Sequence, residues 1–293
     1  MTRSAVRDPV RSAGTAGGDG EAGSPRRGWR REVRALRALW WRELLRLANN
    51  RVHMVLMLLN PLLFLLVLGT GLGSMLDSGT GDGDYVSYLF PGILLMAVQA
   101  PALAAGLSIV RDREVGLLRG VLVAPVRRGT LLIGKCLGSA TAAALQGGLL
   151  LAFAGFAGLS YHPLLLLALL AELTLIALTM TAFITLASVW ITRITTFQSA
   201  SSLAMLPLFF LSGALFSLDG LPLWLRVLTL LNPLTYAVDA LRQTVAHGLP
   251  AGTFEPGLDW GGWVPPLGLE LAVMSGLGAV ALTLAAHRFA RAE

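Results

Sequence analysis

Apolar residues along this chain are concentrated in six long runs that are separated by shorter polar segments. A helix needs about 20 mostly apolar residues to cross the hydrocarbon core of a bilayer, because each residue rises ~1.5 Å and the core is ~30 Å thick. The six runs are of about this length. The pattern therefore predicts an all-α integral membrane protein with six transmembrane helices, over residues 52–75, 85–110, 131–157, 164–191, 199–216 and 264–286.

The residues that precede the first run divide into two parts. Residues 1–27 are rich in Gly, Arg, Ser and Pro, a composition typical of a disordered tail. Over residues 28–51 apolar positions recur every three or four residues with arginines on the opposite side, which predicts an amphipathic helix on the inner membrane surface. A fully solvated helix is the alternative, but two adjacent tryptophans disfavour it. The apolar face consists of Trp29, Val33, Leu36, Trp40, Leu44 and Leu47.

Positively charged residues indicate the orientation of the spans, because Lys and Arg in short connections keep those connections in the cytoplasm. With a cytoplasmic N-terminus, 21 of the 23 basic residues fall on the cytoplasmic side, and Arg226 and Arg242 fall outside. The sequence therefore predicts a multi-pass protein of the cell (plasma or inner) membrane with both termini cytoplasmic. Residues 52–293 would form one transmembrane domain.

The connection between the fifth and sixth runs differs from an ordinary loop. It is too apolar for a solvated segment, yet charged residues and Asn232-Pro233 interrupt it too often for a clean span. Irregular backbone is tolerated at membrane depth where protein covers it. We therefore expect two short outer helices, re-entrant or lying on the membrane surface, with a break at Asn232-Pro233.

Composition agrees with a membrane protein and excludes other classes. The chain has 293 residues, of which 55% are hydrophobic and 14% charged, and its mean hydropathy is +0.68, outside the range of soluble globular proteins. The pI of about 10.4 does not indicate nucleic acid, because the basic residues lie beside the membrane runs, where anionic lipids are their counter-charges. The single cysteine, Cys136, permits no internal disulfide.

Motifs for nucleotide binding or catalysis are weak. Gly129 to Cys136 departs from the phosphate-loop pattern at Cys136, which replaces the hydroxyl residue that binds magnesium, and the segment enters an apolar run instead of following a strand. The glycines at 69, 71 and 73 lack the acidic partner of a dinucleotide site and are expected to end the first span. The four histidines have no metal-ligand spacing, and no serine lies in a nucleophile elbow. We expect no catalytic residue, metal site or cofactor on this chain.

Four polar residues fall inside the predicted spans, where such side chains are costly and usually face a cavity or a partner. The two acids are candidates for protonated structural contacts, for attracting a cationic substrate, or for lining an exit path. Glu270 lies near the end of its run and is expected close to the membrane interface. The candidate translocation path consists of Gln99, Gln146, Glu172 and Glu270.

Several motifs follow one another along about residues 30–290. They are NPLLFL at 60–65, YLFPGI at 88–93, REVGLLR at 113–119 with APVRR at 124–128, LSGALFSLDGLPLW at 211–224, and LNPLTY at 231–236. In this order and topology they resemble the type-2 export permeases of ATP-binding-cassette (ABC) transporters, the group that contains bacterial drug-resistance and nodulation-factor permeases. Each motif is loose by itself, and their order makes the resemblance specific.

The resemblance implies a half-channel that pairs with a second permease copy, as a homodimer or heterodimer, and binds a separate cytoplasmic ABC ATPase that carries ATP and Mg²⁺. Residues 111–128 would form the coupling helix that fits into this ATPase, and the outer connection would form a gate. The implied coupling residues are Arg113, Glu114, Leu117, Leu118, Arg119 and Val121. The implied gate residues are Asp219, Pro222, Trp224, Asn232, Pro233 and Tyr236.

The favoured function is that of a permease subunit in an ATP-driven exporter of a hydrophobic drug, antibiotic or other metabolite. Two alternatives stay open. One is an exporter of a lipid-linked glycan or polysaccharide in the same family, and the other is a proton-coupled secondary carrier that uses Glu172 and Glu270 as proton carriers.

Overall fold

The computed structural model describes residues 33–34, 36–42, 44–45, 49, 51–76, 84–116, 128–216, 218, 220–249, 258 and 263–291. The regular secondary structure of these residues is helical, as the apolar pattern predicts. The helices are α1 (Arg51–Leu76), α2 (Asp84–Glu114), α3 (Arg128–Leu151), α4 (Pro163–Trp190), α5 (Ile194–Leu211), α6 (Leu223–Leu231), α7 (Pro233–His247) and α8 (Leu267–Arg291), with a short 3₁₀ helix at Ala154–Ala157. The predicted tail, residues 1–27, lies outside the described residues.

Within the described part of the chain, five helices are long and apolar enough to cross a membrane: α1, α2, α4, α5 and α8. They correspond to five of the six predicted runs. α2 continues beyond its predicted end at 110 to Glu114 and carries charged side chains on its last turn. α5 begins at Ile194, earlier than the predicted residue 199.

The remaining run corresponds to α3, which has 24 residues and is therefore about 36 Å long. Lys135, Gln146 and several glycines interrupt the apolar residues of this helix, and it is not among the helices with a stretch apolar enough to cross a membrane. It ends at Leu151, and the predicted end at 157 falls in the 3₁₀ helix that follows. α3 thus has the length of a span, but its most apolar stretch is less apolar than those of the other five helices.

Helix α2 lies at the centre of the assembly and packs against α1, α3, α4 and α7. Leu89, Phe90, Ile93 and Leu94 on this helix are fully buried. Of the residues in each span, 61% are buried in α2 but 17% in α1 and 11% in α5. The apolar outer faces of α1 and α5 are therefore available to lipid or to another subunit.

Two glycines of α2 permit close approach of neighbouring elements. A Cβ atom at Gly92 would lie 2.6 Å from the Cβ of Ala214, and one at Gly106 would lie 2.5 Å from Ile184 Cγ2 and 2.7 Å from Phe197 Cζ. Both distances are far inside van der Waals contact. α2 can pack this closely against Ala214, Ile184 and Phe197 only because Gly92 and Gly106 carry no side chain.

The amphipathic segment before α1 is helical at the described positions between 33 and 45, in agreement with its pattern. The Trp40 indole Nε1 donates a hydrogen bond of 3.0 Å to Thr141 Oγ1 on α3. Two turns earlier on α3, Gly134 lies against Leu39. A Cβ atom added at Gly134 would be 3.1 Å from Leu39 Cβ. This helix therefore packs on one face of α3. Its partly buried residues are Leu36, Leu39, Trp40 and Leu44, and its exposed residues include Val33, Arg37 and Arg42.

Candidate functional site

The predicted break at Asn232-Pro233 separates α6 from α7, and Asn232 holds the two helices and α5 together. Its side-chain oxygen accepts a hydrogen bond of 3.1 Å from the Leu234 amide at the start of α7. Its Nδ2 donates a hydrogen bond of 2.7 Å to the Leu208 carbonyl in the last turn of α5. Proline is favourable directly after a capping residue because the first helical position needs no N–H donor. The local sequence therefore ends one helix and starts the next here.

Of the six implied gate residues, the structure groups Asn232, Pro233 and Tyr236 at this break. The Tyr236 hydroxyl donates a hydrogen bond of 2.8 Å to the Leu230 carbonyl on α6. Pro222 and Trp224 lie at the other end of α6, and Trp224 is 66% exposed. Asp219 lies outside the described residues. The grouping defines a hydrogen-bonded helix corner with an exposed apolar helix beside it.

A buried polar network lies between α4, α7 and α8, and we define it as Glu172, Asp239, Gln243, Thr244 and Glu270. Thr244 Oγ1 donates a hydrogen bond of 2.5 Å to Glu172 Oε1. Gln243 Nε2 lies 3.1 Å from Asp239 Oδ2 and 3.2 Å from Glu270 Oε2. Glu172 and Glu270 are 5% and 0% exposed. The two acids of the candidate path thus bond to adjacent residues of α7, and Glu270, in the first turn of α8, is enclosed by protein.

Arg242, which the charge count placed in an outer connection, is buried on α7 and is 1% exposed. Its Nη2 donates a hydrogen bond of 2.8 Å to the Gly213 carbonyl. Its guanidinium lies 4.2 Å from the centroid of the Tyr88 ring on α2, in the range of a cation–π interaction. Arg242 therefore links α7 to α2 and to the segment after α5.

Sequence reasoning missed four members of this buried region, namely Asp239, Arg242, Gln243 and Thr244. A signal was present, because Asp239, Arg242 and Gln243 recur at helical spacing in a segment that is otherwise apolar. The two glutamines of the candidate path are placed elsewhere, Gln99 on α2 and Gln146 on α3. The Nε2 atoms of Gln99 and Gln146 are buried without a hydrogen-bond partner in the described structure.

The C-terminal end of α2 carries the two implied coupling residues that the structure describes, Arg113 and Glu114. Arg113 Nη1 donates a hydrogen bond of 2.7 Å to the Val189 carbonyl at the end of α4. Glu114 Oε2 accepts a hydrogen bond of 2.9 Å from the Ile194 amide at the start of α5. We call these two bonds the clamp. The other implied coupling residues, Leu117, Leu118, Arg119 and Val121, lie outside the described residues.

The segment that approaches a phosphate-loop pattern does not form a loop. Residues 129–136 lie inside α3, which begins at Arg128, so the amide groups from residue 132 onwards are in position to bond within the helix and do not line a loop. Lys135 forms an ion pair with Asp112 on α2 and also donates to Ser108 Oγ at 3.3 Å. Cys136 is buried with its sulfur 3.3 Å from Thr185 Oγ1. The segment therefore joins α3 to α2 and α4.

Five packed apolar helices of membrane-spanning length, within the described residues, define an α-helical membrane protein. Residues 34–245 match the family model described as ABC-2 type transporter. The match covers more than half of the chain. The protein therefore belongs to the ABC-2 type transporter family.

Relatives in this family carry the names of transport proteins or of proteins with a role in nodulation. Nodulation protein J of Rhizobium leguminosarum bv. viciae is 30% identical over 195 residues, which cover 64% of this chain and 73% of that protein. The transport permease ycf38 of Cyanophora paradoxa is 28% identical over 218 residues, 73% of this chain and 75% of that protein. The doxorubicin resistance ABC transporter permease DrrC of Mycobacterium tuberculosis is 24% identical over 209 residues, 71% and 75% respectively.

Proposed function

We propose that this protein is the membrane-spanning permease subunit of an ATP-driven exporter, which moves a hydrophobic drug, antibiotic or other metabolite out of the cytoplasm or the inner leaflet. The observation that carries the proposal is the family match over residues 34–245. The relative named for doxorubicin resistance supports a drug as the cargo.

In this proposal ATP and Mg²⁺ bind to a separate cytoplasmic ABC ATPase. The phosphate-loop-like segment supports nucleotide binding by another subunit, because this segment is helical and its lysine, Lys135, is paired with Asp112. The basic connection that follows α2 is the part of the chain that would dock on the ATPase. Its charge also suits the cytoplasmic side of the membrane.

We further propose a six-span topology with both termini in the cytoplasm, in which α3 is the additional span. α3 lies between α2 and α4 and packs against both, so its polar residues need not contact lipid. α6 and α7 would then lie at the outer side as the gate. Two copies of the chain would form the pathway, since the exposed apolar faces of α1 and α5 suit a second subunit.

The proposed function is tested with the tagged chain expressed in its native host. Purification from membranes is expected to recover an ABC ATPase, and inverted membrane vesicles are expected to accumulate doxorubicin when ATP is supplied. A non-hydrolysable ATP analogue is the control and should give no accumulation. The proposal fails if no ATPase is recovered and if uptake is the same with and without ATP.

A second candidate function is proton-coupled export, which is favoured by the burial of Glu172 and Glu270 in one polar network. Collapse of the proton gradient at constant ATP separates the two mechanisms. Continued uptake under these conditions excludes proton coupling, and complete loss excludes ATP as the direct energy source. A lipid-linked glycan remains the alternative cargo within the same family, and competition between such a glycan and doxorubicin for uptake tests it.

A further inference from the structure

The connection between α4 and α5 is held by residues that are distant in sequence. It consists of residues 191–193, and both Ile191 and Arg193 have extended backbone. Arg193 stands at the position that normally caps α5, but its side chain makes no capping hydrogen bond. An arginine has no acceptor atom for this purpose. The first turn of α5 therefore depends on an acceptor from another part of the chain.

Glu114 supplies that acceptor. Its Oε2 lies 2.9 Å from the amide of Ile194, the first residue of α5. The first N–H groups of a helix have no partner within the helix, and the helix dipole favours a negative charge there. Glu114 thus acts as a capping residue for α5 although it belongs to α2.

Arg113 makes the complementary contact at the end of α4. The Val189 carbonyl is in the last turn of α4, where carbonyl groups have no partner within the helix, and Arg113 Nη1 donates to it at 2.7 Å. A positive charge is favourable at this end of a helix dipole. Two neighbouring residues of α2 therefore satisfy the facing ends of α4 and α5 with charges of the correct sign.

We propose that Arg113 and Glu114 are positioning residues and do not act as contacts to the ATPase. They hold the cytoplasmic connection after α2 and the connection between α4 and α5 together, so that the two move as one unit. The inference rests on the proposed function, because a motion must enter at the connection that follows α2. Through the clamp, that motion reaches α4 and α5 directly and not by way of α2 alone.

The variants test the hydrogen bond from both of its sides. Glu114→Ala removes the acceptor, whereas Glu114→Gln removes the charge but keeps an amide oxygen that can accept from Ile194. Ile194→Pro removes the donor and leaves every charge in place, and proline is tolerated at the first position of a helix. The extended Arg193 is compatible with a following proline. Ile194→Ala is the matched control, since it shortens the side chain and keeps the N–H group.

We expect E114A and I194P each to lower ATP-dependent doxorubicin uptake about fivefold to tenfold, the effect of one exposed hydrogen bond of ordinary net strength. The double variant should be no slower than the slower single variant, because both changes remove the same bond. E114Q and I194A should transport within about twofold of the wild-type rate. The ATPase should be recovered with all four single variants in the wild-type ratio.

The proposal is overturned by any of three results. E114Q could be as defective as E114A, which would assign the function to the charge. E114A could lose the ATPase during purification, which would make Glu114 a docking residue. The effects of E114A and I194P on uptake could multiply in the double variant, which would show that the two changes do not remove the same bond. If uptake by the wild-type chain does not depend on ATP, the proposed function fails. The clamp is still tested by thermal unfolding, in which the destabilising effects of E114A and I194P should not add in the double variant.

Discussion

Replacement of Asn232 by alanine is expected to destabilise the helix corner by an amount that follows from its two hydrogen bonds. The bond to the Leu234 amide is a helix N-cap, and loss of such a cap costs about 1 kcal/mol. The bond to the Leu208 carbonyl is not replaced within α5, because the Ser212 amide donates to the Phe209 carbonyl instead. Leaving this partly buried acceptor without a partner costs about 1 to 2 kcal/mol. N232A should therefore lower the free energy of unfolding by about 2 to 3 kcal/mol.

Asn232→Ser separates the two contributions. A serine hydroxyl can cap α7, but it is too short to reach the Leu208 carbonyl. N232S should therefore be intermediate, about 1 kcal/mol above N232A. Unfolding of the purified protein in mixed micelles, followed by tryptophan fluorescence, gives the order of the three proteins. The reasoning is refuted if N232A is as stable as the wild type, or if N232S and N232A are equally unstable.

Three further changes test other contacts by the same unfolding measurement. Gly106→Ala should cost about 1 to 3 kcal/mol because the added methyl overlaps α4 and Phe197, whereas Gly276→Ala on α8 meets open space and should be neutral or slightly stabilising; equal effects would contradict the packing. Thr244→Val removes the hydroxyl that donates to Glu172 and should lower the free energy of unfolding by about 1.5 to 3 kcal/mol. Thr244→Ser keeps a hydroxyl and should retain most of this stability. A serine variant as unstable as the valine variant would contradict the hydrogen bond. Trp40→Phe removes the indole donor to α3 and should cost about 0.5 to 1.5 kcal/mol; an unchanged stability would show that the amphipathic helix is held by apolar contact alone.

The helix corner shows how far local sequence can predict structure. A break at Asn232-Pro233 is visible in the chain because proline has no N–H donor and asparagine is a strong capping residue. The structure confirms two short helices that meet there. The second role of Asn232, as a donor to α5, is not visible, because Leu208 lies 24 residues away and reaches it through packing.

The buried region around α7 shows the opposite case. Charge counting treats Arg242 as an exposed basic residue, and a residue-by-residue hydropathy treats Asp239 and Gln243 as polar interruptions. In the structure all three are buried. Their environment depends on α2, α4 and α8, which enclose α7, and such enclosure is a property of the assembled helices.

The sequence by itself determines which segments are helical and apolar, which parts of the chain carry basic charge, and which family the chain belongs to. These properties depend on neighbours within a turn or two and on hydropathy, which each residue carries with it. The tertiary structure alone decides that Glu172 and Glu270 bond to the adjacent α7 residues Thr244 and Gln243, and that Arg113 and Glu114 bind the ends of α4 and α5. Those contacts join residues separated by 27 to 80 positions, and no local pattern records such a separation, because it is set by the way the helices pack.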